Sequence, residues 1–74
     1  MEAKSIANCI RSIARKKGFK YLRTYGEPKK KYFKLKFYLL HDVAKVKRHF
    51  KDLAAVVGIT MVRVEHGLIF RIPY

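Results

Sequence analysis

Tyr32-Phe33-Lys34-Leu35-Lys36-Phe37-Tyr38-Leu39 alternates residue by residue between apolar and polar or amphipathic side chains. Successive side chains of a strand leave opposite faces, so Phe33, Leu35, Phe37 and Leu39 point one way and Tyr32, Lys34, Lys36 and Tyr38 the other. Residues 31–40 are therefore predicted as a strand buried on one side only. Such a strand belongs to a sheet with helices on its apolar face and an open face rich in Tyr and Lys.

The flanking segments supply those partners. Residues 19–25 read as a preceding strand, and Gly26-Glu27-Pro28 followed by Lys29-Lys30-Lys31 reads as a turn with a basic tip. Residues 3–17 read as a helix, because Ala3, Ile6, Ile10, Ile13 and Ala14 recur at three- and four-residue spacing. Lys4, Asn8, Arg11 and Arg15 lie on its other side, the lone Cys9 is placed near its buried side, and Gly18 is positioned to close it. Residues 42–57 read as a second helix, with Asp42 as N-cap and Val43, Val46, Phe50, Leu53, Ala54 and Val57 as the buried stripe. Lys45, Lys47, Arg48 and Lys51 face away from that stripe, and Gly58 closes the helix.

Residues 59–65 and 68–73 read as a hairpin. A loop at Glu65-His66-Gly67 pairs Val64 with Leu68 and Val62 with Phe70, and it puts Gly67 at the left-handed position that three-residue loops favour. The predicted order is α-β-β-α-β-β in one basic α+β domain spanning residues 1–74. Two helices on one face of a four-stranded antiparallel sheet satisfy it in two ways. One is a tandem α-β-β repeat, echoed by Gly18-Phe19-Lys20-Tyr21-Leu22-Arg23 and Gly58-Ile59-Thr60-Met61-Val62-Arg63. The other is a ferredoxin-like fold whose first strand has moved to the C-terminus, which places the last strand centrally.

On the open face, Tyr32, Lys34, Lys36 and Tyr38 are expected to be joined by Arg63 and Arg71, with Met61 and Ile69, from the last hairpin. The first strand reads two ways. By the internal echo Tyr21, Arg23 and Tyr25 face outward and Leu22 inward, whereas by bulk alone Phe19 and Tyr21 belong to the core.

Charge sets the expected partner. The chain has 18 Lys and Arg against 5 Asp and Glu, and residues 1–36 alone hold a balance of +10. So many like charges on 74 residues work against compactness unless a polyanion uses them, and nucleic acid is the first candidate. Half the residues are apolar and ten are aromatic, so the chain is not a disordered basic tail. A single cysteine excludes an internal disulfide and fits an intracellular, cytoplasmic setting. The first apolar residues alternate with Lys4, Asn8 and Arg11, so no secretory leader is expected, and no run reaches the roughly 18 apolar residues of a membrane span.

Catalytic chemistry is not expected. Gly18, Gly26, Gly58 and Gly67 are isolated and none opens a phosphate-binding loop. His41, His49 and His66 have no metal-ligand spacing with Cys9, and Asp42 and Asp52 are too far apart on one helix to act as a pair. The chain is read as no enzyme, with no cofactor and no metal.

Phe50-Lys51-Asp52-Leu53-Ala54, Gly58, Val62-Arg63-Val64-Glu65 and Leu68-Ile69-Phe70-Arg71-Ile72-Pro73 together resemble the small α/β domain that precedes the motor of FtsK/SpoIIIE-type DNA translocases. That domain has a helix with a Lys-Asp-Leu-Ala element, then a Val-Arg-Val strand and a strand ending in Ile- or Leu-Pro. The resemblance covers residues 46–73. The loop before the last strand is shorter here than is usual in that family, and no motor is present. It implies an accessory domain with DNA and a self-associating ring as partners.

The leading expectation is a small non-catalytic nucleic-acid binder, DNA rather than RNA. Its predicted contacts are Arg11, Arg15, Lys16 and Lys17 on the first helix, Arg23, the Lys29-Lys30-Lys31 tip, Tyr32, Lys34, Lys36 and Tyr38, and Arg63 and Arg71. Lysines and arginines neutralise phosphate, and tyrosine rings stack on unpaired bases. The alternative is a protein-assembly domain that joins copies as a homo-oligomer through its sheet. Attachment to acidic lipid is the third reading, disfavoured because the small and isoleucine residues of the first helix are needed for the core.

Overall fold

The computed structural model describes residues 2–40 and 43–74. Its elements are α1 (Ala3–Lys16), β1 (Tyr21–Pro28), β2 (Tyr32–Leu39), α2 (Val43–His49), α3 (Lys51–Val57), β3 (Thr60–Val64) and β4 (Gly67–Pro73). The four strands form one antiparallel sheet in the order β1-β2-β4-β3. The last strand lies centrally, as the permuted ferredoxin-like version requires. The same order is preserved when β1 exchanges with β3 and β2 with β4, so the two α-β-β halves are also topologically equivalent.

The core lies between the sheet and the helices. Phe33, Leu35, Phe37 and Leu39 of β2 are buried together with Leu68, Phe70 and Ile72 of β4, against Ile6, Ala7, Ile10 and Ala14 of α1. Edge-to-face rings run through it: Tyr21 to Phe37 at 5.2 Å, Phe37 to Phe70 at 5.6 Å, and Phe70 to Phe50 at 5.2 Å between centroids. Such pairs contribute about 0.5–1.5 kcal/mol each beyond the area they bury.

Both predicted glycine closures are present. Gly18 is left-handed (φ 73), its N–H donates to Arg15 O, and Phe19 N–H donates to Ala14 O. Gly58 (φ 82) donates to Ala54 O, as does Ile59. These bonds satisfy carbonyls that a helix end would leave unpaired. Phe19 and Ile59, which follow, turn back onto the core.

Five details differ from the reading of the sequence. The second helix is two seven-residue helices, because Phe50 leaves the helical region (φ −91, ψ 2). Hydrogen bonds bracket it, from Phe50 N–H to Val46 O and from Ala54 N–H to Phe50 O, so the apolar stripe stays in phase across the break. Asp42, the expected N-cap, lies outside the described residues. Cys9 is exposed, and Ala7 occupies the buried side of α1 instead.

The remaining three concern the sheet. Gly26-Glu27-Pro28 continues β1, paired with Leu35, Lys34 and Phe33, so the turn is Lys29-Lys30-Lys31 alone. A Cβ at Gly26 would crowd the tip of the Phe33 ring at 2.9 Å and the Arg11 guanidinium at 3.0 Å. β1 carries a bulge between Tyr21 and Arg23. The extra residue, Leu22, is 73% exposed, which lets Tyr21 face the core while Arg23 and Tyr25 face out.

The last hairpin turns on Glu65-His66, with Val64 opposite Gly67, not on three residues. His66 takes the left-handed conformation (φ 63), which His adopts more readily than most residues. Gly67 is instead buried in β4 beside Tyr38, where a Cβ would run into the Phe37 carbonyl oxygen. This one-residue change of register swaps faces: Met61 sits opposite Phe70 and Arg63 opposite Leu68 on the helix side, while Val62 sits opposite Ile69 on the open side.

Two truncations and one addition test this arrangement by chemical denaturation. Phe37→Ala should cost about 3–5 kcal/mol as a core truncation, and Tyr32→Ala should cost far less. Gly67→Ala should cost about 1–3 kcal/mol through displacement of the β2 backbone. A neutral Gly67→Ala would contradict the register of β3 and β4.

Candidate nucleic-acid interface

No described element covers the second face of the sheet. The strand pairings place Arg23, Tyr25 and Glu27 of β1 there, then Tyr32, Lys34, Lys36 and Tyr38 of β2, Ile69 and Arg71 of β4, and Thr60 and Val62 of β3. Six of the residues expected at the site meet on this surface: Arg23, Tyr32, Lys34, Lys36, Tyr38 and Arg71. Lys29, Lys30 and Lys31 are exposed at the tip of the β1–β2 hairpin, directly beyond Tyr32.

The face is graded. Its β1–β2 half, with Arg71, is cationic and aromatic. Toward the β3 edge it becomes apolar, through Val62 and Ile69. Glu27 is its one carboxylate among the described residues.

Cations and rings are seated on one another. The Arg23 guanidinium carbon lies 4.5 Å and Lys36 Nζ 4.4 Å from the centroid of the Tyr38 ring, and the Arg71 guanidinium carbon lies 5.4 Å from that of Tyr32. Negative ring faces attract such charges by about 0.5–1 kcal/mol where exposed. Desolvation pushes the Tyr38 hydroxyl up, but the charges and hydrogen bonding of Lys36 and Arg23 outweigh it and hold the group below its ordinary value. Tyr25 has no cation over its ring among the described residues and is 47% exposed.

Glu27 takes one lysine out of play. Lys29 Nζ donates to Glu27 Oε1 at 2.8 Å. That hydrogen bond outweighs desolvation and, with Tyr25 and Lys34, holds the carboxyl below its ordinary value. The same bond raises the Lys29 ammonium. Lys30 and Lys31 have no such partner among the described residues.

The other expected contacts do not join this surface. Arg63 projects from the helix side of the edge strand β3. Arg11 is half-buried and committed: its Nε donates to Thr24 Oγ1 and its NH1 to Asn8 Oδ1, both at 2.9 Å, tying α1 to β1. Arg15, Lys16 and Lys17 are exposed at the end of α1, in the helix layer. There Lys17 meets Lys45, Arg48 and His49 of α2 around Phe19, lining a cleft of about 420 Å³. The sequence reading missed this cleft. Positions 45, 48 and 49 share a helix face by spacing, but only the packing of Phe19 against Phe50 and His49 brings Lys17 to them. Tyr25 is the other addition, placed outward by the Leu22 bulge.

Comparison with protein-family models, with curated proteins and with solved structures returns no match.

The seating of Lys36 on Tyr38 has a spectroscopic consequence. Removing a positive charge destabilises the phenolate, so Lys36→Ala should raise the pH at which Tyr38 ionises, back toward the ordinary tyrosine value. An ultraviolet titration of tyrosinate, with Tyr38→Phe to assign the signal, measures it. An unshifted Tyr38 in Lys36→Ala would show that the cation does not rest there in solution.

Proposed function

We propose that this chain is a small non-catalytic nucleic-acid-binding module that holds a phosphate backbone on its uncovered sheet face. The observation that carries the reading is the interleaving of Arg23, Lys34, Lys36 and Arg71 with Tyr25, Tyr32 and Tyr38 on a face with one carboxylate among the described residues. Cations laid on rings are held out from the sheet with less freedom to lose when they meet phosphate. Backbone contact therefore leads and base stacking is secondary, because the cations over Tyr38 and Tyr32 already occupy ring surface. Tyr25, whose ring carries no cation among the described residues, is the tyrosine best placed to stack on an unpaired base. DNA is preferred over RNA on the resemblance of residues 46–73 to the translocase domain.

Self-association through the sheet is the second reading. One observation favours it: the apolar strip of Val62 and Ile69 lies beside β3, an edge strand with one neighbour. Mass measurement in high salt separates the two, since apolar association survives salt and charge-bridged complexes do not.

The test is a titration against duplex DNA, single-stranded DNA and duplex RNA over a range of salt. Six cations with no carboxylate partner among the described residues lie on the face and tip: Arg23, Lys30, Lys31, Lys34, Lys36 and Arg71. If all six meet phosphate, log affinity for duplex DNA should fall against log salt with a slope near roughly −5. Glu27→Gln should release Lys29, tighten binding and steepen the slope by about one. Tyr25→Ala should weaken single-strand binding more than duplex binding. A slope shallower than about −2, with Glu27→Gln indistinguishable from the parent, would overturn phosphate neutralisation as the mode of binding.

A further inference from the structure

The cleft between the end of α1 and α2 lies in the helix layer, on the opposite side of the molecule from the open sheet face. Lys17, Lys45, Arg48 and His49 line it around Phe19, and no carboxylate of the described residues does. Lys17, Lys45 and Arg48 form no ion pair and no side-chain hydrogen bond among those residues. In this they differ from Arg23, Lys36 and Arg71, which rest on tyrosine rings, and from Lys29, which is held by Glu27.

The cleft is formed by packing, not by chance crowding of long side chains. Gly18 reverses the chain after Lys17, and Phe19 turns inward to meet His49 at 5.2 Å and Phe50 at 6.3 Å. That fixes the backbone of Lys17 beside the helix face that carries Lys45 and Arg48. The α1 C-terminus contributes about half a negative charge, which explains why cations gather in its last turn. Three full positive charges exceed it, so the described lining of the cleft keeps an excess of positive charge.

We infer that this cleft is a second phosphate site, and that one molecule bridges two nucleic-acid segments, one on the sheet and one across the helices. The inference rests on the proposed reading of the chain as a nucleic-acid binder. Opposed faces permit both at once: the smallest extent of the molecule is 18 Å, about two Debye lengths at physiological salt, so two bound segments repel each other little.

The test uses two short duplexes, one carrying a donor dye and one an acceptor, mixed with the intact protein below saturation. Energy transfer between the duplexes is expected. The Lys17→Ala, Lys45→Ala, Arg48→Ala triple variant should lose the transfer while its affinity for a single duplex stays within about tenfold. A control with the same net charge, Lys4→Ala, Lys47→Ala, Lys51→Ala, removes exposed helix-layer cations outside the cleft and should keep the transfer. The His49 ring signals should shift on duplex addition in the parent and in the control. Thermal melting of each variant verifies that it is folded.

Single-duplex binding with no transfer in the parent protein overturns the bridging inference and leaves the sheet reading intact. Equal transfer in the cleft variant, or equal loss in the control, also overturns it, by assigning bridging to protein pairs or to diffuse charge. A His49 response to inorganic phosphate but not to duplex would make the cleft a site for small anions and overturn it as well. Absence of any duplex binding at low salt is the separate failure of the functional reading itself.

Discussion

The β2–β4 pairing is the constraint on which the rest of the molecule depends. These central strands contribute seven buried side chains, Phe33, Leu35, Phe37, Leu39, Leu68, Phe70 and Ile72, and they set which residues face the helices and which face outward. Their register is held at one end by Gly67, whose missing side chain lets β4 lie against the Phe37 carbonyl. Because side chains alternate strictly along a strand, Lys34 and Lys36 are on the open face for the same reason that Leu35 and Phe37 are in the core. Core and candidate interface are two sides of one alternation.

That arrangement also accommodates an unusual electrostatic load. A body of 74 residues with a net charge of +13 has little core to set against self-repulsion. The described residues show three ways of moderating it. Rings take up Arg23, Lys36 and Arg71; Glu27 takes up Lys29; and Arg11 is absorbed into the joint between α1 and β1. Among the cations without such a partner in the described residues, two groups stand together: the Lys30-Lys31 tip beside the open sheet, and Lys17, Lys45 and Arg48 around the cleft on the other side.

Much of this was legible in the chain itself. The β2 alternation, the α1 stripe and the closures at Gly18 and Gly58 each rest on local periodicity or backbone conformation, and each is where the sequence places it. What was not legible depends on contacts between distant residues. Gly67 suits a left-handed turn, and nothing local reveals that it is required by Phe37 thirty residues earlier; the one-residue difference moved Met61 and Arg63 to the helix side. The Leu22 bulge reconciles two readings of β1 that no single phase could satisfy. Phe50 interrupts a helix with neither Pro nor Gly to announce it, because the apolar spacing continues across the break. At the site, the tyrosine and lysine residues of β2 were readable, but the occupation of their rings by cations from neighbouring strands was not. Nor was the α1–α2 cleft, since Lys17 and Lys45 meet only after the helices pack.

The central claim is that the outward side chains of β2 and its neighbours, and not merely the net charge, form the nucleic-acid surface. Side-chain signals followed during titration with a short duplex test it most directly. The account predicts saturable shifts at Arg23, Tyr32, Lys34, Lys36, Tyr38 and Arg71, with the apolar edge at Val62 little affected and the Phe70 ring unmoved. Shifts of equal size at every exposed lysine and arginine, including Arg63 on the helix side of β3, would contradict it and reduce the binding to unspecific charge.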